Sequence, residues 1–276
     1  MTDPAAPCPG RATVSLQLEY FSVVDTGRAR SNNEDTVLVD APLALAVLAD
    51  GMGGYQAGEV ASELAANTLR EEVGRWLGDP AAPRDATDTR RALGHSAQEA
   101  NRRVFEAAQS RAEWAGMGTT LVVALVQDAS LWVGHIGDSR AYRLRGERLE
   151  QISRDHSLLQ EQIDAGLLTE EEAARSVHRN LVTRAVGVEP EVELEVHEHE
   201  LRAGDVLMLC SDGLSDMLPD VRIAEVMRQT DALDDMGHAL VKAANEAGGR
   251  DNISVILVRA KGGSSTTGRA WWPFRR

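Results

Sequence analysis

The sequence predicts an α+β fold in which antiparallel sheet packs on helices, and three features carry that prediction. Strand-like and helix-like stretches come in blocks and do not alternate strictly. Short turns join most strand candidates, as in hairpins. In Glu191-Val192-Glu193-Leu194-Glu195-Val196 the apolar residues face one way and the glutamates the other, as on a half-solvated antiparallel strand.

β-branched content and a period of two give the first strands as Val14–Val24, Thr36–Val39 and Leu43–Leu48. The segment Gly58–Leu77 then sets Val60, Leu64, Leu69, Val73, Trp76 and Leu77 on one helical stripe. Arg90–Arg111 does the same with Leu93, Ala97, Ala100, Val104 and Ala107. Four more strands follow at Thr119–Val126, Ser130–Ile136, Ala141–Leu144 and Leu149–Ile152. Ser157–Asn180 reads as amphipathic helix. The remaining strands are Val192–Val196, Asp205–Cys210 and Ile253–Val258, with helices at Arg222–Arg228 and Ala232–Ala247.

This gives one body over residues 14–261 between two tails. Residues 1–13 read as a disordered lead-in, broken by Pro4, Pro7, Pro9 and Gly10. Residues 262–276 read as a Gly/Ser/Thr linker ending in Arg269-Ala270-Trp271-Trp272-Pro273-Phe274-Arg275-Arg276. Three aromatics beside three arginines suit docking on an acidic, apolar protein surface better than a plain disordered end.

Composition excludes several classes. With 43% hydrophobic and 26% charged residues the 276-residue chain is globular, and with 4% aromatics its core must be mostly Ala, Val, Leu and Ile. A net charge of −14 argues against a general nucleic-acid binder, which needs a basic face. No apolar run reaches the roughly 18 residues of a membrane span. The N-terminus lacks the pattern of a secretory signal. Cys8 and Cys210 make a poor disulfide framework. A cytoplasmic protein is expected.

Four aspartates share one local pattern, an Asp at the end of an apolar strand with Gly beside or near it. They stand in Val47-Leu48-Ala49-Asp50-Gly51, Val133-Gly134-His135-Ile136-Gly137-Asp138, Met208-Leu209-Cys210-Ser211-Asp212-Gly213 and Gly248-Gly249-Arg250-Asp251-Asn252. Any single Asp-Gly is more often a turn. Several converging carboxylates would repel one another, and hard divalent cations relieve that repulsion through carboxylate, carbonyl and water oxygens.

Six ordered motifs give this pattern a family resemblance. They are Thr26-Gly27-Arg28-Ala29-Arg30-Ser31-Asn32-Asn33-Glu34-Asp35, Asp50-Gly51-Met52-Gly53-Gly54, Gly116-Met117-Gly118-Thr119-Thr120, Gly137-Asp138-Ser139-Arg140, Ser211-Asp212-Gly213-Leu214 and Asp251-Asn252-Ile253-Ser254. Over roughly residues 15–260 the chain resembles the bacterial type 2C metal-dependent Ser/Thr protein phosphatases. The resemblance implies a four-layer sandwich, two antiparallel β-sheets flanked by helix pairs, with two and at most three Mn²⁺ or Mg²⁺ ions at one end. It also implies phosphoprotein substrates, phosphorylated on Ser or Thr, and an opposing Ser/Thr kinase as partner.

Carried over by motif, Asp50 would bridge two metals and the Gly51 carbonyl would bind the second. Asp212 and Asp251 would complete the first, and Glu34 would hold a water coordinated to it. Asp138, with Asp212, matches a third metal position. Arg30 matches the arginine that clamps the substrate phosphate, a task suited to its planar two-donor fork. A metal-bridging hydroxide would then attack phosphorus directly, without a covalent phosphoenzyme. Consistent with that, Cys210 is followed by Ser211-Asp212-Gly213 and heads no Cys-x5-Arg loop, and it reads as a small buried hydrophobe.

Where eukaryotic relatives often have a proton-donating His, this chain has Met52. That leaves the general acid to a metal-bound water or, second, to His156. The 157–180 stretch matches a mobile flap of bacterial relatives, with Ser176 near a position that could touch the third metal. Two other readings are a catalytically silent metal-binding regulatory module on the same fold and a Ca²⁺-binding structural domain. The complete carboxylate set disfavours the first, and the absence of a repeated Asp-x-Asp-x-Asp-Gly loop disfavours the second.

Overall fold

Alternating side chains on the central strands sort the core into layers. A computed structural model describes residues 16–54, 57–169, 172 and 181–262. Among these the order is β1 (Leu16–Asp25), β2 (Asp35–Asp40), β3 (Leu45–Met52), α1 (Ala57–Gly78), α2 (Ala86–Ser110), β4 (Gly118–Thr119), β5 (Leu121–Gln127), β6 (Ser130–Ile136), β7 (Arg140–Arg145) and β8 (Arg148–Gln151). Then come α3 (Leu158–Asp164), β9 (Glu195–Glu200), β10 (Val206–Cys210), α4 (Asp212–Ser215), α5 (Asp220–Met227), α6 (Leu233–Glu246) and β11 (Ile253–Gly262).

The strands form two sheets, ordered β1-β11-β10-β7-β8 and β2-β3-β5-β6-β9, with β4 pairing β3 beside the second. Every pairing is antiparallel. On β3, Leu45, Val47 and Ala49 pack with Ala61, Ala65, Leu69 and Val73 of α1 and with Leu93, Ala97 and Val104 of α2. Ala46 and Leu48 turn the other way and meet Leu207 and Leu209 of β10 between the sheets. On β10, Val206, Met208 and Cys210 face outward onto Ile223 of α5 and Leu240 of α6. The layers are therefore helix, sheet, sheet, helix, the expected sandwich, and they are held mainly by aliphatic side chains.

Cys210 is fully buried in that outer core, and burial pushes its thiol up to about 12. No helix among the described residues is long and apolar enough to cross a membrane.

The structure corrects four local expectations. The third strand starts at Leu45, because Asp40 caps Leu43 at the end of a 3-10 turn over Ala41–Leu43 that contains Pro42. The 119–126 strand is split at Thr120, whose N–H leaves the ladder to reach the Asp50 carbonyl at 2.9 Å. The strand expected at Val192–Val196 is Glu195–Glu200 instead. Its alternation is real, since Leu194 is buried between exposed Glu193 and half-buried Glu195, but Val192 gives its N–H to the Gln98 side chain and no ladder forms there. The helix expected over Ser157–Asn180 is broken after Asp164, where Ala165 and Gly166 close it with bonds to Glu161 and Ile163, and most of its remainder, residues 170, 171 and 173–180, lies outside the described residues. Ser176, the lead-in and residues 263–276 lie outside the described residues.

Candidate active site

The β2–β3 register sets Asp35 directly across from Asp50, so both carboxylates leave the same face of the sheet. The backbone of Asp50 is held from both sides. Its N–H donates to Thr120 Oγ1 at 3.0 Å, and its carbonyl accepts from the Thr120 N–H and from Thr119 Oγ1 at 2.8 Å. With its main chain satisfied by β4 and its continuation, Asp50 has its carboxylate left for the cleft. Thr120 Oγ1 also meets Ser139 Oγ at 2.7 Å, which ties the Asp50 strand to the turn carrying Asp138.

The other two aspartates sit at matching ends of neighbouring strands. Asp212 opens α4 immediately after β10, and Asp251 stands just before β11, which pairs with β10. Asn252 links Asp251 to the loop that bears Arg30 and Glu34. Its Oδ1 accepts the Glu34 N–H at 2.8 Å, and its Nδ2 donates to the carbonyls of Thr26 (3.1 Å) and Asn32 (2.9 Å). The first turn of α1 closes on this loop. A Cβ on Gly58 would collide with the Glu34 carboxylate, and one on Gly51 would collide with the Gly58 carbonyl, so both contacts require glycine.

These elements surround one cavity of about 300 Å³ lined by Arg30, Glu34, Asp50, Gly51, Asp138, Asp212 and Asp251. Arg30 and the six candidate metal-site residues singled out in the sequence are thus brought to one place. Met52 and Val182 line it too. Arg30 leans on the site, its Nη2 donating to Asp251 Oδ2 at 2.7 Å.

The charges in the cleft are unbalanced. Burial, then the carboxylates of Asp35, Asp212, Asp138 and Asp251, push the Asp50 carboxyl well above the usual range. Asp212 is raised in the same way, by burial first and then by Asp138 and Asp251. Asp138 is pushed up to about 6 by burial and by Asp155. Asp35 is also pushed up to about 6, chiefly by burial, against hydroxyls of Ser254 and Ser211 that favour its charged form. Asp212 Oδ1 is buried without a hydrogen-bond partner. A buried carboxylate oxygen left unpaired among other acids is what a hard divalent cation would satisfy, and the oxygen-only donor set suits Mn²⁺ or Mg²⁺.

Three residues received no role from the sequence although they stand inside the quoted motifs. Asp35, Thr120 and Asn252 act through register and hydrogen bonds, and the motifs flagged their neighbourhood without their function. His156 does not line the cleft. Its ring nitrogens engage Gly137 and Glu195, which removes it as a proton donor to a leaving group.

Comparison with known proteins agrees with this geometry. The family model described as Protein phosphatase 2C matches residues 28–257. A curated relative, the serine/threonine phosphatase stp of Listeria monocytogenes, is 36% identical over 239 residues, covering 85% of this chain and 92% of the relative. The crystal structure of the serine/threonine phosphatase Stp1 from Staphylococcus aureus superposes with a TM-score of 0.82 at 33% identity, covering 92% of this chain and all of that one. The catalytic domain of the serine threonine protein phosphatase PstP, in complex with two manganese ions, gives a TM-score of 0.79 at 36% identity, with 90% of this chain and 100% of that one covered. With its six motifs gathered on one cleft of a two-sheet sandwich, this chain belongs to the protein phosphatase 2C family.

Proposed function

We propose that the chain is a metal-dependent protein-serine/threonine phosphatase, hydrolysing phospho-Ser and phospho-Thr in proteins that a Ser/Thr kinase has phosphorylated. The observation that carries this reading is the convergence of Asp50, Asp138, Asp212 and Asp251 on one cavity in which Asp50 and Asp212 face other carboxylates and no cation of the protein.

In this reading Asp50, the Gly51 carbonyl, Asp212 and Asp251 hold two Mn²⁺ or Mg²⁺ ions, and Asp138 with Asp212 holds a third. When bound, such ions lower the pKa of water towards neutrality and neutralise charge on phosphoryl oxygens. Water then attacks phosphorus directly and no phosphoenzyme forms. Glu34 orients water from the loop fixed by Asn252. Arg30, half-exposed at the rim, is placed to leave Asp251 and offer its two-donor fork to the substrate phosphate. Met52 donates no proton, so the leaving alkoxide takes its proton from water.

The test is hydrolysis of p-nitrophenyl phosphate and of a phosphothreonine peptide with Mn²⁺, Mg²⁺ or excess EDTA. Turnover of both with metal and of neither with EDTA is expected. Mn²⁺ binding without hydrolysis of either substrate would leave a silent module instead.

A further inference from the structure

Behind the cleft wall two histidines lie buried and stacked. The rings of His135, on β6, and His156, in the loop before α3, have centroids 4.7 Å apart with 22° between planes. Burial lowers the pKa of each, so both are neutral near pH 7.

His156 holds Gly137, the residue before Asp138, by both of its backbone polar groups. The His156 N–H donates to the Gly137 carbonyl at 2.9 Å, and His156 Nδ1 accepts the Gly137 N–H at 3.2 Å. Nε2 therefore carries the ring proton and donates to Glu195 Oε2 at 3.2 Å, while Glu195 Oε1 accepts from His197 Nε2 at 2.7 Å. On its other side the His156 carbonyl accepts the Thr183 N–H at 2.8 Å, next to the bridge between Ser157 and cleft-lining Val182. Gly137 has φ +100°, and a Cβ there would stand 2.7 Å from Thr120 Cγ2, so the turn tolerates no side chain and is shaped from outside.

His135, His156 and Glu195 have the residue types and spacing of a cation site, with ligand atoms within 4.8 Å of one another. The hydrogen bonds argue otherwise. Coordination through His156 Nε2 would move its proton to Nδ1, against the Gly137 N–H. The cluster is a clamp, fixed in one tautomer by its two partners.

We propose that His156 is a positioning residue for Asp138. The Nδ1 acceptor fixes the Gly137–Asp138 turn and so sets the affinity of the cation that Asp138 holds. This rests on the reading of Asp138 as a cation ligand given above.

Asparagine and glutamine separate the two arms of the ring, because the Asn Oδ1 falls near Nδ1 and the Gln amide near Nε2. Mn²⁺ calorimetry and exchange of the Gly137 amide are measured on the full chain for wild type, His156→Asn, His156→Gln and Asp138→Ala. In His156→Gln the weakest Mn²⁺ step should weaken about tenfold, the worth of one such hydrogen bond. The Gly137 amide should exchange faster by a similar factor, and the tight steps should stay unchanged. His156→Asn should restore both to near wild type. A weak step in His156→Gln equal to wild type overturns the proposal, and so does its equal loss in both variants. If Asp138→Ala keeps the weak step, the reading of Asp138 fails, and Gly137 exchange alone then decides the clamp.

Discussion

The cleft and the outer face of the α1–α2 pair are both rich in carboxylates, yet they resolve their charge in opposite ways. On the helices Glu71, Glu72, Glu99 and Glu106 each have a guanidinium. Glu99 accepts from Arg102 and Arg103 and is held down at about 2, first by the Arg102 hydrogen bonds. Arg103 also reaches Glu71 at 3.0 Å and Glu72 at 3.7 Å, and Glu72 pairs with Arg75. In the cleft the acids face one another, and Asp50 and Asp212 are raised where Glu99 is lowered. The residue type is nearly the same, and what differs is burial and the partner. The helix face is complete as folded, whereas the cleft carries a cost that a bound cation removes, so cation binding is coupled to stability there and not on the helices.

Replacing Asp50 should give the largest effect. Asp50→Asn keeps the shape and removes the central charge. We expect turnover to fall about 10³-fold or more, roughly 4 kcal/mol of transition-state stabilisation. The metal-free protein should instead melt a few °C higher, since about 1 kcal/mol of relieved repulsion shifts Tm by about 2–4 °C in a domain of this size. Normal turnover at saturating Mn²⁺, or a lower metal-free Tm, would break the contrast between the two regions.

Arg30 is where the two arrangements meet, a guanidinium resting on a cleft carboxylate. Unlike Arg103, it is placed at the rim of a cavity and is free to change partners. Arg30→Ala should lower kcat/KM by about 10- to 100-fold, mostly through KM, and Arg30→Lys should recover only part because it lacks the fork. Unchanged KM and kcat in the alanine variant would place the phosphate contact elsewhere.

The sequence made the cleft more legible than the helix face because the cleft is written in local grammar. An Asp after an apolar strand is a short-range signal, and Asp50, Asp138 and Asp212 reach the cleft where that signal puts them, whereas Asp251 follows α6 and precedes β11, so it reaches the same cleft from the other end of a strand. Order along the chain made the convergence readable too, since six motifs in sequence specify more than any one. What stayed hidden depends on pairing across long sequence separations. Asp35 matters because register puts it opposite Asp50, and Asn252 because it bonds to residues some 220 positions away. The stretch after Ser157 misled for the opposite reason. Amphipathic periodicity continues past the point where Ala165 and Gly166 close the helix. Val192 likewise shows a strand's alternation while its N–H bonds to a side chain.

Acid should separate the regions next. Burial pushes Asp35 and Asp138 up to about 6 in the folded chain, and burial with neighbouring carboxylates also raises Asp50 and Asp212 well above the ordinary value near 3.9. Their folded forms bind protons more tightly than the unfolded chain, so these groups favour folding more as pH falls from 8 through 6. His135 and His156 act the other way, because their lowered pKa values cost stability as pH falls through about 6.5. The carboxylates outnumber the histidines, so with EDTA the Tm should rise by a few °C between pH 8 and pH 6. Saturating Mn²⁺ should cancel or reverse that rise, since protons and cations compete for the same oxygens. A metal-free Tm that falls steadily across this window would mean that the cleft acids are not the strained groups.

The smallest effect belongs to the helix face. Glu99→Gln removes one charge from a pair whose arginine partners are largely in solvent, with Arg102 half-exposed. The low pKa of Glu99 means its contribution is fully present above about 4.3 and is lost only as pH falls towards 2, so a measurement at pH 7.5 sees all of it. Exposed pairs of this kind are screened, and the loss should lower Tm by no more than about 1–2 °C and shrink further in high salt. Turnover and the Mn²⁺ dependence of both rate and Tm should match wild type. That null on the metal response gives the result its use. A mutant that loses a degree of Tm and none of the Mn²⁺ response shows that acid–arginine pairing on α2 is energetically separate from the cleft. If Glu99→Gln shifts the Mn²⁺ requirement, the helices feel the charge state of the site through the shared core of Leu93, Ala97 and Val104 against β3, and the two regions act as one electrostatic unit.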